Sequence, residues 1–394
     1  MVCFRLDAER LHALRDRSLR RAGDGEGAQL ITRLGGGQAL THEELVALFL
    51  AKETPVDRIL EVAKRRRGFE NPRIGTFAPL YITNECDAEC RMCGMRSFND
   101  DLRRETASRE TVSSQLDILY RRGLRGVAVL SGEYRHGPRR REMLGRAADA
   151  ARQALARGFH HVLINVGSIE EGEYDELLAG LPLPEDREAM PRITMCTFQE
   201  TYDSAVYAKF MGTTPENPRS HFERRLTNFD RALDSGMRWA NPGLLLGLNP
   251  DLPFEILALL DHVRHLLQLE MGVYVSLPRL RKANGVVHQA GVGDDELSRM
   301  VGVLAAGCPE AQVVISTREP PAIQARLLPV IGVLTAGSPG VAPYSETTAR
   351  FELDASQFEV ADQRPFEEIL SDCLAAGAQI HDFEPSSAAS ADPV

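Results

Sequence analysis

The sequence predicts a parallel barrel of eight β/α units preceded by a layer of helices. Short, nearly continuous apolar runs recur from about residue 74 onward, and segments with helical periodicity separate them. Strands that are apolar on both faces are typical of parallel sheets covered by helices. Eight such units over roughly 270 residues fit a (β/α)8 TIM-type barrel, whose chemistry lies at the carboxyl ends of its strands. An open, doubly wound sheet is the alternative.

The first part of the chain, residues 1–70, carries only helical signals. The segment 40–51 is amphipathic, and Thr41 followed by Glu44 matches a capping box at a helix start. We therefore expect an N-terminal helical extension over 1–70. Because the chain has no secretory apolar run at its start and no stretch approaching about 18 apolar residues, we expect a cytoplasmic protein without a membrane span.

The barrel is expected over 71–383, and the small, polar segment 384–394 is expected to be a disordered tail. The apolar runs that predict its strands are 74–82, 126–132, 160–167, 192–198, 239–247, 272–278, 311–317 and 329–335.

The overall charge and the cysteines limit the classes of function. With 56 acidic against 46 basic residues, the net charge is −10, so the chain has no general positive field for a phosphate backbone. Nucleic acid is therefore not an expected partner. The cysteines number seven, and three of them lie close together, which is unlike a disulfide framework. We expect free thiols, some of them metal ligands.

Those three cysteines, Cys86, Cys90 and Cys93, follow the first apolar run with the spacing C-x3-C-x2-C. Three thiolates can hold three irons of a [4Fe–4S] cluster, and the fourth iron would keep positions open for an outside ligand. A zinc site with three cysteines and one histidine is the alternative, but the nearest downstream histidine is His136. The spacing favours the cluster.

This motif resembles the signature of the radical S-adenosylmethionine (SAM) superfamily. There, SAM binds the open iron, and one-electron reduction releases a 5′-deoxyadenosyl radical. The resemblance implies a [4Fe–4S] cluster and SAM as cofactors, and a reductant such as flavodoxin or ferredoxin.

Further segments resemble the SAM-binding motifs of that superfamily. Glu133, in Ser131-Gly132-Glu133, corresponds to a carboxylate that accepts a hydrogen bond from the SAM amine. Arg225 is similar to an arginine that pairs with the SAM carboxylate, with Arg224 as the alternative. The resemblance also implies that the SAM site includes Met92, Asn165 and Glu200.

Four other blocks resemble the radical SAM aromatic amino acid lyases: 81–84, 198–203, 276–281 and 316–320. The resemblance implies that Arg318 binds the α-carboxylate of the substrate, a role that suits a guanidinium, and that Tyr81 lies beside it. A salt bridge with the neighbouring Glu319 is the structural alternative for Arg318.

Within that family the chain resembles, over about 70–384, the tryptophan lyases of thiopeptide biosynthesis, the NosL-type 3-methyl-2-indolic acid synthases. Met92 follows their pattern, whereas tyrosine lyases usually carry an aromatic residue there. Thr335 stands where they have a serine near the substrate. The resemblance implies hydrogen abstraction from the amino group of L-tryptophan and rearrangement to 3-methyl-2-indolic acid.

Two alternative functions stay open. A tyrosine lyase that yields p-cresol and dehydroglycine would share the same blocks. A protein of a different class, a non-catalytic iron–sulfur carrier, would need a fourth cluster ligand.

Overall fold

The computed structural model describes residues 3–22, 25–184, 191–286 and 291–385. The tail predicted for 384–394 therefore lies almost entirely outside the described residues. Eight parallel strands form one sheet in chain order, which confirms the predicted barrel over the doubly wound alternative. No helix in the described ranges is long and apolar enough to cross a membrane.

The first half of the chain contains α1 (Ala8–Arg21), α2 (Glu26–Gly35), α3 (His42–Leu50), α4 (Val56–Arg67), β1 (Arg73–Ile74), β2 (Ala78–Tyr81), α5 (Arg109–Arg121), β3 (Gly126–Leu130), α6 (Pro138–Ala156), β4 (His161–Asn165), α7 (Glu171–Leu178) and β5 (Ile193–Glu200). The second half contains α8 (Ser204–Met211), α9 (Phe222–Leu226), α10 (Asn228–Asp234), β6 (Trp239–Leu244), α11 (Leu252–Gln268), β7 (Gly272–Ser276), α12 (Asp294–Gly307), β8 (Gln312–Ser316), α13 (Pro321–Leu327), β9 (Val333–Thr335), α14 (Phe366–Ala375) and β10 (Gln379–Ile380).

The barrel comprises β2 to β9, and each of these strands falls on one of the eight predicted apolar runs. A separate two-stranded parallel sheet pairs β1 with β10. The sequence did not predict this small sheet, because strands of two residues carry no readable periodicity.

Hydrogen bonds beside β2 close the seam between the first and last barrel strands. The amide of Gly75 donates to the carbonyl of Gly332 at 2.8 Å, and the amide of Leu334 donates to the carbonyl of Gly75 at 3.2 Å. Thr76 Oγ1 donates to the carbonyl of Leu334 at 2.8 Å. The barrel is thus nearly closed, and few backbone groups remain unpaired along the seam.

Aromatic side chains fill the amino-terminal end of the barrel. Phe77, Trp239 and Tyr274 belong to one buried cluster. The ring centroid of His161 lies 5.9 Å from that of Phe77 and 5.8 Å from that of Tyr274. Burial lowers the pKa of His161 to about 3, so the imidazole is neutral. These aromatic residues, which we call the aromatic plug, fill the amino-terminal end of the barrel. A polar site can therefore lie only at the carboxyl ends of the strands.

The N-terminal helices α1, α3 and α4 pack against the barrel helices α11 and α12, and α2 packs on α3 and α4. The capping box predicted at Thr41 is confirmed: the Glu44 amide donates to Thr41 Oγ1 at 3.2 Å, and the Thr41 amide donates to Glu44 Oε2 at 2.9 Å. Glu44 also accepts from Arg33 at 2.6 Å and from Arg21 at 3.1 Å. Although burial opposes ionisation, these bonds lower the pKa of Glu44 to about 2.

We predict that Glu44→Gln lowers the free energy of unfolding by about 2 kcal/mol at neutral pH, because a charged acceptor of several hydrogen bonds is lost. The pKa of Glu44 is lowered from 4.5 to about 2 in the folded protein. Its stabilisation is therefore complete above the unfolded pKa and is lost as the pH falls through the folded one. In urea denaturation, the difference between wild type and variant should shrink below about pH 5.

The control is Glu43→Gln, which removes a more exposed ion pair with Arg17. We expect it to change the free energy of unfolding by about 0.5 kcal/mol or less. A difference between Glu44→Gln and wild type that stayed constant as the pH fell would contradict the ionised Glu44 described above.

Candidate active site

A cavity of about 220 Å³ lies at the carboxyl ends of the barrel strands. Apolar residues of the strands, including Phe77, Leu163 and Val314, line part of it. The structure brings onto this one cavity all of the residues that the sequence analysis selected: Tyr81, Cys86, Cys90, Met92, Cys93, Glu133, Asn165, Glu200, Arg225, Arg318 and Thr335.

The three cysteines lie on the loop that follows β2, which we call the cysteine loop (residues 85–99). Arg104 holds this loop in shape. Its guanidinium donates to the carbonyls of Asn84 at 3.0 Å, Met95 at 2.9 Å and Arg96 at 2.7 Å. The loop conformation is therefore fixed by hydrogen bonds within the chain itself.

Gly132, after β3, packs directly against the cysteine loop. A Cβ atom at this position would lie 2.0 Å from the carbonyl oxygen of Glu85 and 2.7 Å from Cα of Cys86. Only glycine permits so close an approach. The next amide, that of Glu133, donates to Cys86 Sγ at 3.3 Å. The segment Ser131-Gly132-Glu133 thus contributes a backbone contact to the loop as well as a carboxylate to the cavity.

The thiols of the cysteine loop receive further backbone hydrogen bonds. The amide of Ala88 donates to Cys86 Sγ at 3.4 Å, and the amide of Met95 donates to Cys93 Sγ at 3.4 Å. Burial nevertheless raises the pKa of the Cys86 thiol to about 12. A bound metal would be needed to keep such a thiol ionised at neutral pH.

The three thiols come from three separate positions of the cysteine loop. Within the described part of the chain, no three His, Cys, Asp or Glu side chains are grouped so that they could hold one metal ion. In a cubane cluster each cysteine binds a different iron, so the three sulfur atoms need not converge on one point.

Behind the cysteine loop lies a buried network of two acids and two arginines. Arg225 donates to Glu133 at 3.0 Å, and Arg219 lies 3.6 Å from Glu133 and 2.8 Å from Glu200. Burial opposes ionisation of Glu133, but Arg225 and Arg219 lower its pKa below the usual value. The network thus contains two acidic and two basic side chains, whose formal charges balance.

Two features of this network were not evident from the sequence. Arg219 lies between α8 and α9, outside every recognised motif. The positions of the two neighbouring arginines also differ: Arg225 lines the cavity, whereas Arg224 lies 2.6 Å from Glu170.

The end of β5 has an unusual backbone. Glu200 has a φ of +70°, and the pairing with β6 shifts register between Phe198 and Glu200. A left-handed conformation in a residue with a Cβ costs about 1 kcal/mol and persists only when the surroundings enforce it. Here the buried carboxylate of Glu255 accepts hydrogen bonds from Thr201 Oγ1 and the Tyr202 amide. These bonds hold the block 198–203, which carries the Glu200 carboxylate to Arg219.

Arg318 follows β8 and lines the cavity. Its guanidinium stacks on Phe358, 3.3 Å from the ring centroid, and donates to the carbonyl of Arg279 at 3.4 Å. In the described ranges no ion pair involves Arg318. The predicted alternative, a salt bridge with Glu319, is wrong, because Glu319 pairs with Arg279 and Arg281 instead. Burial lowers the pKa of Arg318 to about 10, so it still carries a positive charge at neutral pH.

Two hydroxyl groups line the same cavity at the ends of β2 and β9. Tyr81 donates from its hydroxyl to Gln357 Oε1 at 2.6 Å, and burial raises its pKa well above the usual value. Thr335 is the last residue of β9. Gln357 was not predicted as a site residue, because it comes from a distant C-terminal segment that has no recognisable motif.

The chain is similar to 2-iminoacetate synthase of Escherichia coli, with 24% identity over 376 residues, which is 90% of each chain. It is equally similar to the 2-iminoacetate synthase of Salmonella typhimurium, with 24% identity over 379 residues. No family model matches.

Among solved structures, HydG, a maturase of the [FeFe]-hydrogenase, superposes with a TM-score of 0.79 and 26% identity. That match covers 95% of this chain and 80% of HydG. Methylornithine synthase (PylB) shares the fold, with a TM-score of 0.68 at 16% identity over 89% of this chain and 97% of its own.

The residues around the cavity fit the two expected cofactors. Backbone amides donate hydrogen bonds to the sulfur atoms of Cys86 and Cys93. Such bonds stabilise the negative charge of a thiolate that binds a metal. Glu133 suits an amine, and a guanidinium such as that of Arg225 suits a carboxylate. A Cβ on Gly167 would lie 2.4 Å from Cδ of Glu133, so glycine is required beside this carboxylate.

We predict that Gly132→Ala folds but loses the cluster, because its new methyl group would displace the cysteine loop. After anaerobic reconstitution, the wild type should hold about four irons per chain and the variant fewer than about two. Iron and acid-labile sulfide analysis provides the measurement. The control is Gly145→Ala on α6, where an added Cβ meets no atom within 4 Å. Full iron content in Gly132→Ala would refute this role for the glycine.

Proposed function

We propose that the chain is a radical SAM lyase for an aromatic L-amino acid, with a [4Fe–4S] cluster and SAM as cofactors; its similarity to 2-iminoacetate synthase and HydG supports this proposal. The proposed substrate is L-tryptophan and the proposed product is 3-methyl-2-indolic acid. The observation that carries the proposal is Arg318, a charged guanidinium on the cavity that pairs with no carboxylate of the described chain. An amino acid would supply the missing carboxylate.

Each cofactor has its own set of residues in this proposal. Cys86, Cys90 and Cys93 hold the cluster, and Glu133 and Arg225 bind the amine and carboxylate of SAM. When bound, the cluster and SAM supply an organic radical that removes a hydrogen atom from the substrate. Glu133 and Arg225 are oriented by their own ion pair before SAM binds, which reduces the ordering required on binding. The remaining proposed SAM contacts are Met92, Asn165 and Glu200.

The substrate backbone is held by residues of three strand ends. Arg318 binds the α-carboxylate, and Phe358 stacks against the guanidinium and limits its movement. Tyr81 and Thr335 add hydroxyl groups beside it. The amino group of the substrate is left free to face the hydrogen-abstracting radical. Holding the carboxylate end fixes where the amino group lies and so decides which bond breaks, since a displacement of about 1 Å can change a rate by about 100-fold.

One polar pair lies among the residues that would surround the substrate ring. Asn241 Nδ2 donates to Ser276 Oγ at 3.0 Å and to the carbonyl of Pro242 at 3.2 Å, and both side chains line the cavity. Both amide N–H groups are thereby used, whereas Asn241 Oδ1 accepts from Ser276 Oγ at 3.1 Å and keeps a second lone pair for another donor. We infer that this oxygen accepts a hydrogen bond from the ring, either from an indole N–H or from a phenol O–H.

Tryptophan is proposed over tyrosine because Met92, the residue before Cys93, follows the pattern of the tryptophan lyases that the chain resembles. A tyrosine lyase that releases p-cresol and dehydroglycine is the second candidate. It is supported by the similarity to enzymes named 2-iminoacetate synthases, because dehydroglycine and 2-iminoacetate are the same compound. A non-catalytic iron–sulfur carrier would have no use for an unpaired guanidinium on the cavity.

We predict that the anaerobically reconstituted protein, given SAM, dithionite and L-tryptophan, forms 5′-deoxyadenosine and 3-methyl-2-indolic acid. Parallel reactions with L-tyrosine and L-phenylalanine, read by mass spectrometry, define the ring preference. Phenylalanine has no donor for Asn241 and should turn over about tenfold less efficiently. Formation of p-cresol from tyrosine alone would establish the second candidate in place of the first. Absence of deoxyadenosine with all three amino acids would refute the proposed lyase.

A further inference from the structure

A C-terminal segment crosses the mouth of the barrel between β9 and α14. This segment, residues 354–362, is called the strap. On one side, the amide of Arg103 donates to the carbonyl of Asp354 at 2.7 Å. On the other side, the amide of Ala361 donates to the carbonyl of Thr317, directly after β8, at 3.1 Å. The strap is therefore anchored at both ends across the cavity.

The middle of the strap lies against the cysteine loop. The amide of Gly94 donates to the carbonyl of Gln357 at 3.1 Å. A Cβ on Gly94 would lie 3.0 Å from the carbonyl oxygens of both Ser356 and Gln357, which is closer than such atoms normally approach. The glycine that follows Cys93 thus permits the strap to sit directly on the loop.

The side chain of Gln357 connects two groups of the proposed site. Its Nε2 donates to Cys93 Sγ at 3.5 Å, and its Oε1 accepts from the Tyr81 hydroxyl at 2.6 Å. The two contacts agree with the chemistry of the partners, because a thiolate can only accept and the phenol can donate. The next residue of the strap, Phe358, stacks on Arg318.

We propose that Gln357 is a positioning residue that couples the third cluster cysteine to the substrate site. The inference rests on the proposed function, since it assigns Cys93 to the cluster and Tyr81 to the substrate. The N–H of Gln357 withdraws negative charge from the Cys93 sulfur, which stabilises the reduced cluster and raises its midpoint potential. The carbonyl of the same amide fixes the direction of the Tyr81 hydroxyl. One side chain thereby links cluster reduction to the geometry of substrate binding.

The test compares Gln357→Met with Tyr81→Phe. Methionine keeps the length of the side chain but removes both hydrogen bonds, whereas Tyr81→Phe removes only the bond to the hydroxyl. Midpoint potentials are measured by redox titration of the reconstituted protein followed by electron paramagnetic resonance, without substrate. Gln357→Met should have a lower potential than the wild type, and Tyr81→Phe should match the wild type. Both variants should raise KM for the amino acid about tenfold while changing kcat less.

The control is Gln363→Met, an exposed position just beyond the strap, where the same substitution removes only a 3.3 Å bond to the carbonyl of Val360 and should leave both quantities unchanged. If Gln357→Met had the midpoint potential of the wild type, the coupling would be overturned. The same holds if Tyr81→Phe lowered the potential as much as Gln357→Met does. If Gln357→Met assembles no cluster, the midpoint potential of Gln357→Asn is measured instead. Asparagine is one methylene too short to reach Cys93, so its potential should also be lower than that of the wild type. The potential needs only the cluster, so a failure of the lyase proposal would appear separately, as no turnover in any variant.

Discussion

The ion pairs among Glu133, Glu200, Arg219 and Arg225 hold together segments that are far apart in the chain. Glu133 follows β3, Glu200 ends β5, Arg219 lies between α8 and α9, and Arg225 belongs to α9. Each charge buried without a partner would cost several kcal/mol, so the four side chains constrain one another's positions. The strained backbone at Glu200 persists within that constraint. Arg318 lines the same cavity and forms no ion pair within the described part of the chain.

The rest of the barrel confines reactive chemistry to this one end. The aromatic plug around Trp239 fills the opposite end, and the strap crosses the mouth with both ends anchored. Close contacts at Gly132 and Gly94 bring the cysteine loop against β3 and the strap, respectively. A site that is closed by its own chain protects a reactive radical from water and side reactions. The geometry thus serves the proposed lyase through positioning rather than through an acid–base pair.

The sequence predicted those parts of the structure that leave a local pattern. Strands apolar on both faces gave the barrel, and three cysteines at fixed spacing marked the loop after β2. The capping box at Thr41 was equally local. Arg219 and Gln357 were missed because their partners lie far away: Gln357 and Cys93 are 264 residues apart in the chain. Pairing between charged groups was also unpredictable, which is why Glu319 was wrongly considered as the partner of Arg318.

The measurement that tests the account most directly compares the binding of L-tryptophan and tryptamine, which lacks only the carboxylate. Calorimetric titrations use reconstituted, SAM-loaded wild type and Arg318→Met, a variant of similar length without the charge. If Arg318 holds the carboxylate, the wild type should bind tryptophan about 100-fold more tightly than tryptamine. Arg318→Met should bind the two ligands with similar, weak affinity. A variant that kept the wild-type preference for tryptophan would contradict Arg318 as the carboxylate anchor.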